Sequence, residues 1–386
     1  MRLCSIQPVA ERGGSDQALL RMLRSLPSDE FDCHVVVPGE PPLRAELEAA
    51  GVTIHIVPMR RISTSHRFGT WLAYLGGWPF AVTRLTHLVR HLKIDVVHTN
   101  SLHSWYGWAV ARFARKPHVW HAREIVVQSG AALRLERFLA RRYATRVVCG
   151  SQAIADQLDP RNTVVIYDSP DPNLFSPSRA GRFRTGHGIA DDVLLAGAVG
   201  RLDTWKGLDV LLDAWPRVKE AHQHAHLVIA GALVQGKERY AAELETAAGT
   251  LPDVHWLGEI DETAVADLFA DLDVLVAPST EPEPYGLSVA EALVSGTPVV
   301  ATDAGGPREI IAAASADAGR LVPMGDAPLF VEALTAAIVA TLDGARSTSA
   351  TARAARPRLL DLEPGDMAGV LRDVARQAPP EPGATK

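Results

Sequence analysis

The sequence predicts an α/β protein with two domains, each built on a mostly parallel sheet, and three observations favour this fold class. Its 386 residues are long for a single hydrophobic core. Short apolar runs typical of buried strands alternate with helical patterns from the first residue onwards. A proline-containing stretch without periodicity, residues 168–188, interrupts this alternation near the middle of the chain and is predicted to be a linker.

The first half alternates strand and helix patterns in the order of βαβ units, in which covering helices join parallel strands. The strands are predicted from short apolar runs at 2–7, 33–37, 52–57, 94–99, 118–121, 145–150 and 163–166. Helices are predicted at 15–26 and 41–50. This half is therefore expected to be Rossmann-like.

The same pattern restarts after the interruption. Strands are predicted at 193–199, 226–230, 254–257, 271–280 (running into a loop) and 299–302. Helices are predicted at 208–220, 238–250, 263–271, 287–295 and 367–377. Two Rossmann-like halves in series are expected to face each other across a cleft, with ligands at the carboxyl ends of the strands.

The composition is that of an ordinary soluble globular protein, with 47% hydrophobic and 22% charged residues. The longest apolar stretch, 71–82, is far shorter than the ~18 residues that a membrane span requires. The first residues carry a short strand and a polar loop where a signal peptide has a long apolar region, which predicts a cytoplasmic protein. Cys4, Cys33 and Cys149 each fall in or beside a predicted strand, which favours reduced core residues over catalytic thiols.

The stretch 281–309, EPEPYGLSVAEALVSGTPVVATDAGGPRE, is predicted to contain a loop, a helix and a second strand at the edge of a sheet. Two carboxylates, Glu283 and Glu291, flank the helix start with seven residues between them. The amides of Gly286 and Leu287 lie at that start, where unpaired N–H groups and the helix dipole favour an anion. The alternative is a capping box, in which Glu291 only bonds back to the amide of Ser288.

A second motif, GRLDTWKG, follows the predicted strand 193–199 and precedes a helix. It places two cations, Arg201 and Lys206, in one loop at the strand end. Arginine binds phosphate oxygens bidentately and lysine acts as a point charge, so both would stabilise a departing diphosphate.

Together these motifs identify a resemblance. EPYGLSVAEALVSGTPVVATDAGGPREII resembles the signature of the retaining family-4 glycosyltransferases, which pair two glutamates as Glu-x7-Glu, and the basic pair after GAVGRL is similar to theirs. The resemblance implies the GT-B fold, with an acceptor-side domain over 1–170 and a nucleotide-sugar domain over 171–357. It also implies that a C-terminal helix, about 358–377, packs back on the first domain. Residues 378–386 are expected to form a disordered tail.

The resemblance also implies roles for the motif residues. Glu283 is expected to bind the transferred sugar and Glu291 the ribose hydroxyls. Arg201 and Lys206, with the amides of Gly286 and Leu287, are expected to hold the diphosphate. Glu283, His121, Arg201 and Lys206 form the predicted catalytic set, and the configuration at the anomeric carbon is expected to be retained.

Further site residues are predicted from weaker signals. Gly14, in the glycine pair before the first helix, resembles the family's glycine-rich loop and is a candidate contact to the diphosphate. The alternative is a tight turn, which a glycine pair alone favours. His121 ends a predicted strand in the segment His-Ala-Arg-Glu, where the family places a histidine near the sugar. The alternative is a hydrogen-bonded core histidine. Gly258 and Ile260 follow a strand at which the family seats the nucleobase.

The predicted co-substrate is a nucleotide sugar, with uridine favoured over guanosine diphosphate. No metal or other cofactor is expected, because Arg201 and Lys206 supply positive charge. The predicted acceptor is a hydroxyl of a glycan, a lipid-linked molecule or a small molecule. The alternatives are a sugar-nucleotide 2-epimerase, a glycan phosphorylase, or a sugar-nucleotide sensor without chemistry.

The charge distribution suggests one more partner. Residues 1–176 hold 21 Lys and Arg against 15 Asp and Glu, whereas the remainder holds 18 against 30. Within 60–93, from Arg60 to Lys93, basic and aromatic side chains are interleaved. This mixture suits an anionic membrane surface at the inner membrane face or a lipid-phosphate acceptor, and the alternative is a surface helix with a buried aromatic stripe. Nucleic-acid binding is not expected, because the second half is acidic and carries no recognition motif.

Overall fold

A computed structural model describes residues 1–9, 14–60, 68–127, 129–158, 161–315, 317–361 and 366–377, with only the backbone described at 68–73, 75, 346 and 347. The chain forms two compact units. The first comprises Met1–Asp168 and the described part of Pro364–Lys386, and the second comprises Ser169–Glu363. The predicted tail, 378–386, lies outside the described residues.

The first unit contains a parallel sheet covered by helices. Its strands are β1 (Arg2–Ile6), β2 (Asp32–Val37), β3 (Thr53–Ile56), β4 (Val96–Thr99), β5 (His118–Ala122), β6 (Arg146–Cys149) and β7 (Thr163–Val165). Its first six helices are α1 (Gly14–Ser25), α2 (Arg44–Ala49), α3 (Phe68–His91), α4 (Tyr106–Ala114), α5 (Gly130–Tyr143) and α6 (Gln152–Asp156). The strand order is β3-β2-β1-β4-β5-β6-β7, with every pair parallel.

The second unit repeats this architecture with a six-stranded parallel sheet. Its strands are β8 (Leu195–Val199), β9 (His226–Ala230), β10 (Val254–Gly258), β11 (Val274–Ala277), β12 (Val299–Thr302) and β13 (Gly319–Val322). Its helices are α7 (Arg182–His187), α8 (Leu208–Ala221), α9 (Glu238–Gly249), α10 (Glu262–Asp271), α11 (Leu287–Val294), α12 (Gly306–Ala314), α13 (Ala327–Asp343) and α14 (Ala345–Leu360). The strand order is β10-β9-β8-β11-β12-β13.

Helix α8 illustrates how the local sequence selects these elements. Gly207 adopts a left-handed φ of 67° immediately before the helix, a conformation that glycine takes without steric cost. Leu208, Leu211, Trp215 and Val218 then recur at helical spacing, and all four are buried in the core of the second unit. The predicted helix at 208–220 is therefore confirmed.

A last helix, α15 (Met367–Arg376), belongs to the first unit. Asp366 accepts a hydrogen bond from the Gly369 amide at its start. Leu371 and Val374 lie in the same core cluster as residues of β1 and α1. Residues 358–360, which the sequence prediction placed in this returning helix, instead end α14 in the second unit.

The predicted linker contains more structure than expected, since α7 and a short 3₁₀ turn, Pro177–Arg179, form inside it. Contacts distant in sequence hold α7. The Asp271 carboxylate accepts hydrogen bonds from the amides of Gly181 and Arg184, and the Arg184 guanidinium pairs with Asp273 at 2.9 Å. These partners lie about 90 positions away in the chain, so local periodicity carried no signal of the helix.

The cysteines are buried and free, as predicted. Burial raises the pKa of Cys4 and of Cys149 to about 12, and burial with the Asp32 charge raises that of Cys33 to about 11. Such thiols are poor nucleophiles at neutral pH. Among the described residues, no single helix is long and apolar enough to cross a membrane. Within the ranges that the structure describes, one bent pair, Ala327–Asp343 with Thr348–Leu360, passes the length and composition test, across a bend of 94°.

Candidate active site

The candidate active site lies where the strand order of the second sheet changes direction. From the central strand β8 the chain proceeds to β9 on one side and later returns to β11 on the other. In open α/β sheets, ligands bind in the crevice at the carboxyl edge of such a switch point. A pocket occupies this position, lined by the ends of β8, β11 and β12 and by the start of α11.

The loop after β8 carries both predicted cations into this pocket. Arg201 and Lys206 line it together. The Asp203 carboxylate accepts hydrogen bonds from the Thr204 amide at 2.8 Å and from the Trp205 indole at 3.1 Å, which fixes the 3₁₀ turn. The Lys206 ammonium lies 4.2 Å from the centre of the Trp205 ring, a distance suited to a cation–π contact.

Gly207 ties this loop to the neighbouring strand. A Cβ at this position would lie 2.0 Å from the Pro278 carbonyl oxygen, so no side chain fits. The Thr280 amide also donates to the Trp205 carbonyl at 2.8 Å. The loops after β8 and β11 are therefore held together by backbone contacts.

Glu283 is positioned by a glycine pair that the sequence analysis did not assign. Its backbone forms a parallel bridge with Gly305, and its carbonyl accepts from the Gly306 amide at 2.9 Å. A Cβ on Gly305 would lie 2.0 Å from the Glu283 carbonyl oxygen, and one on Gly306 would lie 2.1 Å from that of Tyr285. The GG in DAGGPRE is the sequence signal for this close approach.

An ion pair joins the two motifs inside the pocket. Lys206 Nζ lies 2.5 Å from Glu283 Oε2, and the Ser279 hydroxyl donates to the same oxygen at 3.1 Å. The two side chains are only 20% and 15% exposed, so solvent screens the pair weakly. The Arg201 guanidinium has no side-chain hydrogen bond or ion pair within the described part of the chain. The pocket thus presents two cations and one carboxylate.

Helix α11 begins at Leu287, with Gly286 at its N-cap in a left-handed conformation, φ 98°, and without a side-chain cap. The capping-box interpretation is therefore wrong, because Ser288 lies inside the helix rather than at its N-cap. Gly286 lines the pocket. Glu291, one turn further along, is buried at 7% exposure, and like Leu287 it lies outside the described pocket lining.

Gly258 and Ile260 lie further away. Gly258 ends β10, the edge strand, which is separated from β8 by β9. It has a left-handed φ of 66°, and its carbonyl accepts from the Gly231 amide at 2.8 Å. Neither residue is among the described residues that line the pocket, so their role at the nucleobase stays a prediction.

The remaining predicted residues belong to the first unit. Gly14 is the first residue of α1, and the preceding Gly13 lies outside the described residues. Asp16, in the first turn of α1, accepts from the Gln7 side-chain amide at 2.8 Å. His121 lies on β5 near its carboxyl end and is buried.

His121 belongs to a polar cluster that the sequence revealed only in part. Its Nδ1 lies 3.3 Å from Nε2 of His98 and 3.5 Å from the Arg123 guanidinium. Arg123 also donates to the Asn100 side-chain oxygen at 2.6 Å and pairs with Asp168 at 2.5 Å. Burial, then the Arg123 charge, then His98, lower the pKa of His121 well below its ordinary value, so its imidazole is neutral at physiological pH.

Two family models match the chain. One, described as glycosyl transferases group 1, matches residues 181–352, and one, described as a glycosyl transferase 4-like domain, matches residues 13–166. Together they cover most of both units.

Curated relatives agree with these matches. An uncharacterized glycosyltransferase, MJ1607 of Methanocaldococcus jannaschii, is 30% identical over 281 residues, which cover 67% of this chain and 69% of the relative. The phosphatidyl-myo-inositol mannosyltransferase of Mycobacterium leprae is 35% identical over 160 residues, but the match covers only 41% of each chain.

Solved structures show the same fold over nearly the whole chain. HepE of Anabaena in complex with UDP and glucose superposes with a TM-score of 0.78 at 23% identity, covering 97% of this chain and 98% of that one. WaaG, a glycosyltransferase of lipopolysaccharide biosynthesis, gives a TM-score of 0.67 at 17% identity, with 98% and 99% covered. With two parallel α/β units, both family models and these relatives, the chain belongs to the family-4 glycosyltransferases of the GT-B fold.

Proposed function

We propose that this glycosyltransferase moves a sugar from a nucleoside diphosphate to an acceptor hydroxyl with retention of the anomeric configuration. The observation that carries the proposal is the convergence of Arg201, Lys206 and Glu283 in one pocket at the switch point of the second sheet. Two cations suit a diphosphate, and a carboxylate suits sugar hydroxyls.

The contact between Lys206 and Glu283 suggests how the pocket responds to the donor. A diphosphate carries more negative charge than one carboxylate, so it would compete for Lys206 and leave Glu283 to accept from the sugar. Arg201 would hold the phosphates bidentately. Charge developing on the leaving diphosphate would then meet two fixed cations, which lowers the barrier to its departure.

The other predicted residues complete the proposed donor site. Glu291 would accept from the ribose hydroxyls, and the amides of Gly14, Gly286 and Leu287 would contact the diphosphate. His121 would contact the sugar from the first unit, and the backbone at Gly258 and Ile260 would contact the nucleobase. The cations of the pocket would supply the positive charge without a metal, so chelation with EDTA should leave the transfer rate unchanged.

For the donor we propose a uridine diphosphate sugar. The support is the likeness to Anabaena HepE, whose structure in complex with UDP-glucose superposes on this chain with a TM-score of 0.76. A ligand that binds only the folded state raises the melting temperature. UDP-glucose should therefore stabilise the protein more than a guanosine diphosphate sugar at equal concentration, and the opposite order would reassign the base.

For the acceptor we propose a hydroxyl of a lipid-linked or other glycan. Relatives named as a phosphatidyl-myo-inositol mannosyltransferase and a lipopolysaccharide core mannosyltransferase support this class. Release of UDP should then require such an acceptor, with the new linkage in the donor's anomeric configuration. An epimer formed from donor alone would indicate a 2-epimerase, a sugar phosphate formed with phosphate and glycan would indicate a phosphorylase, and tight binding without release would indicate a sensor.

We further propose a cytoplasmic protein that meets the anionic inner membrane face through α3. Phe80 is 68% exposed and lies beneath the Arg84 guanidinium, whose carbon is 5.8 Å from the ring centre, and Arg90 is exposed on the same helix. Tyr74, in contrast, is buried against Tyr106. This agrees with the alternative prediction of a surface helix with a buried aromatic stripe. The side chains of residues 61–73 lie outside the described part of the chain.

Liposome flotation tests this surface. The protein should float with anionic vesicles and not with neutral ones, and a Phe80→Ala and Arg84→Ala double variant should lose the effect. Leu329→Ala is the matched control, because Leu329 is 65% exposed in the second unit. Equal flotation of the double variant and this control would exclude the α3 surface.

A further inference from the structure

A chain of polar contacts joins the three central strands of the first sheet. The Ser5 hydroxyl of β1 lies 3.1 Å from Nδ1 of His98 on β4, and Nε2 of His98 lies 3.3 Å from Nδ1 of His121 on β5. All three side chains are at most 1% exposed. Ser5 and His98 have no assigned role, since the proposed function uses only His121.

The chemistry of the neighbours fixes the direction of these hydrogen bonds. Arg123 can only donate, and its guanidinium faces Nδ1 of His121 at 3.5 Å. Nδ1 of His121 must therefore be an acceptor. His98 then has to donate from Nε2, which leaves its own Nδ1 to accept the Ser5 hydroxyl proton. Only one arrangement satisfies every contact.

The rings have to be neutral for this arrangement to hold. Burial, the Arg123 charge and then His118 lower the pKa of His98 to about 3, and the pKa of His121 is also lowered, as described above. A neutral His121 that accepts at Nδ1 carries its proton on Nε2. That nitrogen is buried and has no hydrogen-bond partner among the described residues, and a buried donor without a partner is destabilising.

We infer that Ser5 and His98 are positioning residues that act together with Arg123 to hold His121 as the Nε2–H tautomer, so that His121 offers a hydrogen-bond donor to an oxygen of the bound sugar. The tautomer follows from contacts within the first unit, whereas the sugar contact rests on the proposed function. A neutral donor adds no further positive charge to a site in which, under the proposed function, Arg201 and Lys206 already stabilise the charge on the leaving diphosphate.

Nuclear magnetic resonance can read the tautomer directly. In protein labelled with ¹⁵N-histidine, two-bond nitrogen–proton correlations distinguish a protonated ring nitrogen from a bare one, and a His121→Gln variant assigns the His121 signals among the 14 histidines. The wild-type protein should show His121 protonated at Nε2 and bare at Nδ1. Protonation at Nδ1 would overturn the inference.

A matched pair of variants tests the role of His98. His98→Gln keeps an N–H donor near the position of Nε2, whereas His98→Met has a similar size and no donor. The glutamine variant should preserve the His121 tautomer. The methionine variant should give a mixture of both, because the Arg123 contact that remains, at 3.5 Å, is at the limit of a hydrogen bond. A single Nε2–H tautomer in the methionine variant would show that Arg123 alone fixes the tautomer and would overturn the role of Ser5 and His98. Ser5→Ala supplies a milder variant if the methionine variant does not fold.

The sugar contact has a separate readout. UDP-glucose should shift the His121 Nε2 signal while UDP alone does not, and His98→Met should lower kcat by roughly tenfold to a hundredfold, as when the partner orienting a functional histidine is lost. His98→Gln should recover most of that loss. Binding of UDP-glucose without any shift of this signal would overturn the sugar contact and leave the tautomer result standing. A protein that binds no nucleotide sugar would overturn the proposed function instead.

Discussion

The carboxyl edges of the two sheets are built from different chemistry. In the first unit, His98 and His121 are buried, uncharged and linked across three strands. In the second unit, Lys206 and Glu283 are charged, partly exposed and carried on loops. A charged pair needs only two loops to meet beside solvent, whereas buried neutral rings require every hydrogen bond to be matched by the surrounding fold. The second edge therefore offers charged groups to a ligand, and the first offers neutral hydrogen-bonding groups that are fixed in place.

Removal of the pocket charges should have the largest effect. Glu283→Gln and Lys206→Ala should each lower kcat by roughly 10²–10³, because contacts made to developing charge are lost. The measurement is steady-state transfer with a UDP-sugar. Glu281→Gln is the matched control, because Glu281 is exposed and only two residues away. Near-normal turnover in both site variants would remove the proposed site.

The second-largest effect is expected on stability, when the backbone that supports Glu283 is disturbed. Gly305→Ala should lower the free energy of unfolding by at least about 3 kcal/mol, since the new Cβ meets the Glu283 carbonyl at 2.0 Å as well as a left-handed φ of 80°. Gly236→Ala is a reference for a positive φ without such a contact, whereas Gly305, with ψ −146°, lies in a region open essentially to glycine alone and loses stability from its backbone as well. Gly236 has a φ of 81° with no atom within 4 Å of the added Cβ, so only the strain of about 1–2 kcal/mol should remain. Equal losses in urea unfolding would show that the Glu283 contact adds nothing.

The first unit should be distinguished by its response to pH. Burial lowers the pKa of His118, like that of His98, from 6.5 to about 3. The unfolded chain therefore binds protons below about pH 6.5 that the folded chain does not. The free energy of unfolding should therefore fall as the pH falls from about 6.5 towards 3. Over this range, each such histidine should lower the free energy of unfolding by about 1.4 kcal/mol for each pH unit.

Urea unfolding at two pH values checks this slope. Between about pH 6 and pH 4, His118→Gln should lose less stability than the wild-type protein, whereas His224→Gln, at an exposed position, should match the wild type. An unchanged slope in His118→Gln would mean that this ring is already protonated in the folded state.

The smallest effect is expected where charge is kept and only geometry changes. Arg201→Lys should lower kcat/KM by roughly tenfold, because a lysine keeps the charge but not the bidentate fork. Arg201→Ala should cost clearly more. Equal losses in the two variants, measured with the same donor, would mean that the fork rather than the charge is what matters at this position.

These differences also explain how much the sequence could predict. The predicted strands could be recognised because each is a short apolar run, and Arg201, Lys206 and Glu283 could be placed at one sheet edge because two local motifs carry them. Helix α7 was missed because Asp271 and Asp273 hold it from far along the chain.

The first unit was harder to predict because its contacts are not local. The contact between Ser5 and His98 spans 93 positions, and no short motif encodes it. The support that Gly305 and Gly306 give to Glu283 was present in the sequence as a glycine pair, but its partner became clear only from the backbone contacts.

The most direct measurement is calorimetric titration of UDP into three proteins. Relative to the wild type, Lys206→Ala should bind UDP at least tenfold more weakly. Glu283→Gln should bind it as tightly or more tightly, because Lys206 is then released from its ion pair. Affinities that are equal in the wild type and in Lys206→Ala would contradict a diphosphate site in this pocket.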